Sequence, residues 1–425
     1  MTKRWRGAAV GAAAVGLVVV PLGVSAGYAW DTAATSASVT RGAEQRPATA
    51  ARPAAPSSQP SPSASDEFAQ LTPAVARQLD AAIQKVMKEA QVPGVIVSLS
   101  APGKGTYERA FGVADKATGA PMTPDLNMRI GSETKTFTVT ALLKLVDAGK
   151  VRLDDHIGRY VSGVPNGGRI TLRQLAEMRS GLFNYSEDPG FFKALTTNPK
   201  RPFTPRELLG YSFKHPVLFA PGAKFSYCNT NLILLGLVVE KASGDKLADY
   251  IQHNVIEPAG LHHTLFPTGA EFPKPHAQGY TNQTASGKTE DAADWNPSWG
   301  WAAGAMISDR DDLRTWAKVL ATGTLLTPST QAQRLKVLNA GDIPDAGYGL
   351  GIFNVEGWIG HNGSLPGYES LTVYLPGPQA TLVVLLNTDI TYQGAEPSTL
   401  FGQAITKTVT PEHVFDLPAQ PVTGH

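Results

Sequence analysis

Apolar positions recur at helical spacing in "LTPAVARQLDAAIQKVMKEA" behind a Thr72-Pro73 start, which predicts an opening helix. "GVIVSLSAPG" and "TYERAFGVAD" follow as two short apolar runs with a turn between them, the pattern of a strand hairpin. "TFTVTALLKLVDAGK" predicts a strong helix ending at Gly149, and further helical segments are expected over 172–178, 207–213 and 232–242, joined by Pro- and Gly-rich connections. Late in the chain "GLGIFNV", "GWIGH", "ESLTVYLP" and "ATLVVLLN" return to strand character. Strands at both ends of a helical middle imply an α/β (α+β) domain. Its antiparallel sheet is built from both ends and flanked by helices, with an all-helical subdomain inserted over about residues 150–295.

The flanks read differently. Lys3, Arg4 and Arg6 precede an apolar run over 7–30 that ends in small residues, so residues 1–30 are expected to be an export signal. The run could equally stay as an uncleaved membrane anchor, since about 20 apolar residues span a bilayer. Residues 31–66 are Ala-, Pro- and Ser-rich, with too little large apolar surface to repay ordering, and are expected to be a disordered linker. The folded domain is expected over 67–413, with a C-terminal tail at 414–425. An exported protein follows, secreted or tethered to the outer face of the membrane.

With 37 basic and 36 acidic residues and no block of like charge, the chain provides no field to draw in nucleic acid, and membrane contact is expected only through the N-terminal segment. Partners should be small, and a monomer is expected. Cys228 is the only cysteine, so no intrachain disulfide can form. The histidines, among them His253, His262 and His263, show no metal-ligand pattern.

Candidate chemistry starts at "MRIGSETKTFTV", where Ser132 precedes Lys135 by three residues at a helix start. That spacing puts both side chains on one helix face. A serine needs an adjacent base to become a nucleophile, and a lysine at a helix N-terminus or in a buried site is biased toward its neutral, basic form. The alternative is a helix-capping serine and a solvated lysine; a capping box, however, wants Glu or Gln at the lysine's position. The spacing alone is weak, because Ser243 and Lys246 repeat it in "EKASGDKLADY". "FSYCNTNLILLGLVVEKASG" adds Tyr227 and Asn229 at the mouth of an apolar helix, and "GWIGHNGSLPGYESLTVYLP" adds His361 and Gly363 beside a strand. Each has a structural alternative: Tyr227 a core aromatic, Asn229 a helix cap, Asn362-Gly363 a hairpin turn.

In order and spacing, Ser132-Glu133-Thr134-Lys135, Tyr227-Cys228-Asn229 and His361-Asn362-Gly363 resemble the three motifs of the penicillin-recognising serine hydrolases. The resemblance extends over "RSGL", "APGAKFSYCNTN", "AAGAMIS", "GYGLG" and "GYES", and is greatest to the exported single-domain serine D-Ala-D-Ala carboxypeptidases and the class C-like branch. It implies a beta-lactamase/transpeptidase-like fold and no metal or organic cofactor. It also implies that Ser132 attacks a carbonyl while Lys135 or Tyr227 takes its proton. Tyr227 would then protonate the leaving nitrogen, and Asn229 would bind the substrate amide. The backbone N–H groups of Ser132 and Ser364 would hold the oxyanion. His361 would hold or polarise the site, Gly363 would admit substrate to the strand edge, and the Ser364 hydroxyl could bind a substrate carboxylate.

Trp299 matches a tryptophan that lines the cleft in the carboxypeptidase members, and is otherwise a core or subdomain-contact aromatic. Those members also carry an arginine just after "GYGLG"; here Ile352, Phe353, Asn354, Val355 and Glu356 follow Gly351. The implied activity is D-alanyl-D-alanine carboxypeptidase acting on peptidoglycan stem peptides and acylated by β-lactams. The missing cation leaves an esterase or β-lactamase on the same scaffold open. A non-catalytic penicillin-fold binding protein is the alternative of another class. Cys228 reads as a small, partly buried filler.

Overall fold

The computed structural model describes residues 67–341 and 346–417; the expected export or anchor segment, the linker and residues 418–425 lie outside the described residues. Helix α1 (Pro73–Ala90) leads into the hairpin of β1 (Gly94–Ala101) and β2 (Gly105–Gly112). Strand β3 (Met128–Arg129) and a 3-10 turn (Gly131–Glu133) precede α2 (Thr134–Asp147). A mainly helical stretch carries α3 (Leu172–Ala176), α4 (Pro189–Thr197), α5 (Pro205–Phe213), α6 (Asn229–Ser243) and α7 (Leu247–Ile251), followed by the short strands β4 (Tyr280–Thr281) and β5 (Glu290–Asp291). The chain returns through β6 (Ile307–Ser308), α8 (Arg310–Thr322), α9 (Pro328–Arg334), β7 (Leu338–Asn339), β8 (Ala346–Tyr348) and β9 (Phe353–Val355). Strands β10 (Trp358–Leu365), β11 (Tyr368–Leu375) and β12 (Ala380–Leu386) and helix α10 (Pro397–Val409) complete it.

The main sheet has eight strands in the order β2-β1-β12-β11-β10-β9-β8-β7, every neighbouring pair antiparallel. Pairing of β1 with β12 joins the two ends of the domain, as the distribution of strand patterns implies. Strands β11 and β12 are buried along their whole length, which explains why they read as continuous apolar runs rather than alternating ones. Leu371 faces α10, against Gly402, while its neighbour Thr372 faces the Gly131–Glu133 turn, so alternation along β11 separates α10 from the turn that leads into α2. Helix α8 packs with α2: Trp316 stacks on Phe137 with ring centroids 4.0 Å apart and donates to the Thr136 hydroxyl. Burying two such rings contributes on the order of 1.5–3 kcal/mol each.

Sequence patterns locate the early elements well. Thr72 accepts from Val75 N with Pro73 in the first turn, and Gln91 in the left-handed region ends α1. Helix α2 forms although "TFTVT" alternates like a strand, because its threonine hydroxyls find carbonyls: Thr136 donates to Glu133 O, Thr140 to Thr136 O and Thr138 to Ala302 O. One structural alternative is excluded. Asn362-Gly363 is not a turn but the middle of β10; the hairpin turns at Pro366-Gly367, where Gly367 takes φ 92°. Within the expected tail, Phe415 is buried against Gly402 and Leu417 lines a cavity described below.

Candidate active site

Ser132 sits in the 3-10 turn that opens α2, where the first N–H groups of a helix have no partner within it. Two glycines bring this turn against β10. Gly131 has φ +49°, and a Cβ there would lie 2.7 Å from Ser364 N. A Cβ on Gly363 would fall 2.0 Å from Ile130 O and 2.7 Å from Ser370 Oγ, whose hydroxyl donates to that same carbonyl. This corrects the expectation for Gly363: its missing side chain makes room for the backbone that carries the serine, not for substrate.

The turn at Pro366-Gly367 closes the Leu365–Tyr368 pair, and antiparallel pairing alternates from there. The Ser364 N–H therefore faces away from β11. On that edge β10 is paired only over Trp358–Gly360, by β9. Ser364 N thus adjoins the serine turn as a donor on an open strand edge, the arrangement an oxyanion requires.

Lys135 is fully buried, and its Nζ lies 2.7 Å from Ser132 Oγ and donates to the Ala303 carbonyl at 2.8 Å. Among the described residues no carboxylate pairs with it, and burial holds its pKa well below the ordinary lysine value. The result is an amine biased toward neutrality against a serine hydroxyl, the pairing base-assisted attack needs. Tyr227 stands over the pair, with Lys135 Nζ 4.9 Å from its ring centroid. Burial raises the Tyr227 pKa, so the phenol keeps its proton, although the Ser132 hydroxyl pulls the other way. Asn229 begins α6; Asn184 Oδ1 accepts its N–H, and its side-chain amide donates to Ser186 Oγ. Cys228 between them is buried, with its thiol pushed up to about 11 by burial.

His361 lies on the face of β10 toward α2, behind Tyr227 at 6.1 Å between ring centroids. Its Nδ1 donates to the Asn362 carbonyl, so Nε2 accepts from the Tyr348 hydroxyl at 3.2 Å. Burial lowers its pKa to about 3, and the ring is a neutral wedge among Tyr227, Tyr348 and Phe353 rather than a cation.

A cavity of about 210 Å³ opens at Ser132, lined also by Phe225, Tyr227, Asn229, Phe353, Asn362, Ser364, Glu396, Thr399 and Leu417. Sequence reasoning anticipates Ser132, Tyr227, Asn229 and Ser364 there. It misses Glu396 and Thr399, which α10 brings in; the Pro397 that follows Glu396 marks a helix start but not the face it presents. It also misses Glu133, buried next to the serine, whose carboxyl oxygens have no hydrogen-bond partner among the described residues. Burial pushes the Glu133 pKa up to about 8; the Ser370 hydroxyl nearby is committed to Ile130 O and the Thr372 hydroxyl stands outside hydrogen-bond geometry, so neither offsets more than a small part of it. Trp299 is a further correction: it does not line the cavity. Its ring packs near Phe191, its carbonyl accepts from the Tyr185 hydroxyl, and it borders a separate small void with Leu365 and Pro366. The segment after Gly351 contributes Phe353, and no lysine, arginine or histidine is among the lining residues.

Residues 79–401 match the family described as Beta-lactamase. The D-stereospecific amidohydrolase from a Streptomyces species superposes with a TM-score of 0.69 at 30% identity, covering 77% of this chain and 97% of that one. The D-amino acid amidase from Ochrobactrum anthropi SV3, solved with D-phenylalanine, gives a TM-score of 0.69 at 26% identity, covering 78% and 98%. Protein flp from Staphylococcus aureus (strain MRSA252) is 27% identical over 74% of this chain, and the match spans 64% of that relative's length. With the antiparallel sheet, the helical insertion and the paired Ser132 and Lys135, these findings establish that the chain belongs to the beta-lactamase family.

Proposed function

We propose that this protein is a serine acyl-enzyme hydrolase that cleaves amide bonds of D-configured residues. The observation that carries the reading is the buried, uncompensated Lys135 amine 2.7 Å from the Ser132 hydroxyl at the edge of a cavity. Of the two candidate bases, Lys135 fits better, because burial favours its neutral form while keeping Tyr227 protonated. Ser132 Oγ bonds to the carbonyl carbon as its proton passes to Lys135 Nζ. The oxyanion is held by the Ser132 and Ser364 N–H groups. The C–N bond then breaks, with the leaving nitrogen taking a proton from Tyr227, which recovers one from Lys135. Water attacks the ester by the reverse route and releases the acid. The likeness to the D-stereospecific amidohydrolase of Streptomyces and the D-amino acid amidase of Ochrobactrum supports the D-residue preference.

The narrower D-alanyl-D-alanine carboxypeptidase reading, with acylation by β-lactams, rests on the three motifs and on the Ser364 hydroxyl at the cavity wall. It requires a group that holds a terminal carboxylate, and the cavity lining supplies no cation. Profiling the protein against D- and L-amino acid amides, a peptide ending in D-Ala-D-Ala, a short acyl ester and a cephalosporin separates the readings. Turnover of D-amides at least tenfold above the rest is expected. Exclusive release of the terminal D-Ala would establish the carboxypeptidase instead, and no turnover of any amide would refute both.

A further inference from the structure

Glu396 is unusual among the described cavity residues because it is the only carboxyl among them, and because its position offers it a different task. It is the residue preceding the first turn of α10, where a side chain ordinarily caps the helix, yet it makes no capping bond. Glu369 of β11 performs that service: its Oε2 accepts the Ser398 N–H at 2.7 Å. Register explains how. Ser364 pairs with Glu369 and Asn362 with Leu371, so these four share the sheet face that α10 covers. Glu396 is thereby released toward the cavity, where Asn362 Nδ2 donates to its Oε2 at 2.7 Å and fixes it.

The charge around it is unbalanced. Among the described residues Glu369 is buried with Oε1 unpartnered, Asp389 is buried close by, and no basic side chain lines the cavity. Burial raises the pKa values of both Glu396 and Glu369, and each additional carboxylate raises them further. Asp389 is fully engaged by Thr281, Gln283 and the Gly367 N–H, so it adds negative potential without being available to a ligand. A carboxylate-bearing ligand would add to this repulsion, whereas a cation would relieve it. A cation on the acyl-donating residue would lie within this cavity of about 210 Å³, whose wall holds both Ser132 and Glu396.

We infer that Glu396, held by Asn362, binds the free α-ammonium group of the acyl-donating residue, and so restricts the enzyme to D-amino acid amides or peptides with an unblocked N-terminal D-residue. The inference rests on the hydrolase reading above and names its substrate class.

The test compares D-phenylalanine amide with N-acetyl-D-phenylalanine amide on the full chain, in the wild type and in Glu396→Gln and Glu396→Asp. The wild type should favour the free amine at least tenfold in kcat/KM. Glu396→Gln should bring the ratio to within threefold of unity, chiefly through KM for the free amine, and Glu396→Asp should restore part of the preference. Equal use of the two amides by the wild type would overturn the inference while leaving the hydrolase reading intact. So would a parallel loss of both substrates in Glu396→Gln, which would assign Glu396 to the structure of α10 alone. No turnover of either amide, together with no acyl adduct on Ser132, would overturn the hydrolase reading and this inference with it.

Discussion

The chain contains the Ser-x-x-Lys spacing twice, and the two copies differ in everything except spacing. Ser132 and Lys135 straddle the start of α2; the lysine is fully buried and its amine touches the serine hydroxyl. Ser243 and Lys246 straddle the end of α6, where Gly244 turns left-handed at φ 89° and ends the helix. There the Ser243 hydroxyl donates to Val239 O within its own helix, and Lys246 is exposed. The reactivity proposed for Ser132 rests on a position at a helix N-terminus and on burying an amine that has no counter-charge among the described residues, not on the motif.

The largest break in this comparison is at the nucleophile. Ser132→Ala should lower kcat/KM on any substrate by about 10⁴-fold or more. Ser243→Ala should leave turnover unchanged and alter stability by no more than about 0.5 kcal/mol, as steady-state assays and denaturant titration would show. Next, Lys135→Ala should cost about 10²–10⁴-fold in the acylation rate, measured by single-turnover kinetics, whereas Lys246→Ala should be silent. Equal effects of the two lysine variants would end the argument that burial makes the difference.

Smaller effects test the packing that supports the site. Gly363→Ala places a Cβ 2.0 Å from Ile130 O and should destabilise by about 1–3 kcal/mol in urea melts, with kcat falling as the serine turn shifts. Gly244→Ala meets no neighbour and should cost only its left-handed strain, roughly 1 kcal/mol, with kcat unchanged.

A further effect is on the pH dependence of stability. Glu133 titrates near pH 8 in the folded protein and near 4.5 when unfolded, so between these values the native state holds a proton that the unfolded state has lost. Its contribution is complete below pH 4.5 and declines as pH rises to about 8. The stability of the wild type relative to Glu133→Gln should therefore fall steadily with rising pH over that window in thermal melts. A flat difference would show that Glu133 is ionised throughout.

Much of this organisation is legible in the sequence, for reasons particular residues make plain. Thr72-Pro73 and Gly149 punctuate helices locally, and the apolar runs of β11 and β12 are buried on both faces, so local pattern suffices. Motif order singles out Ser132, Lys135, Tyr227 and Asn229, which the fold brings together. What stays hidden depends on distant contacts. Glu396 reaches the cavity only because Glu369, on another strand, caps α10 in its place. Gly363 looks like a substrate-facing glycine until Ile130 is seen behind it. Trp299 carries an aromatic signal that serves a core as well as a cleft, and its packing near Phe191 decides for the core.

The central claim is that the first copy of the spacing, and not the second, makes a covalent acyl-enzyme. Intact-mass spectrometry after exposure to a reactive D-amino-acid thioester tests it most directly. The account predicts a single acyl adduct on the wild type that persists in Ser243→Ala and disappears in Ser132→Ala. An adduct that survives Ser132→Ala, or a wild type that forms none, would contradict it.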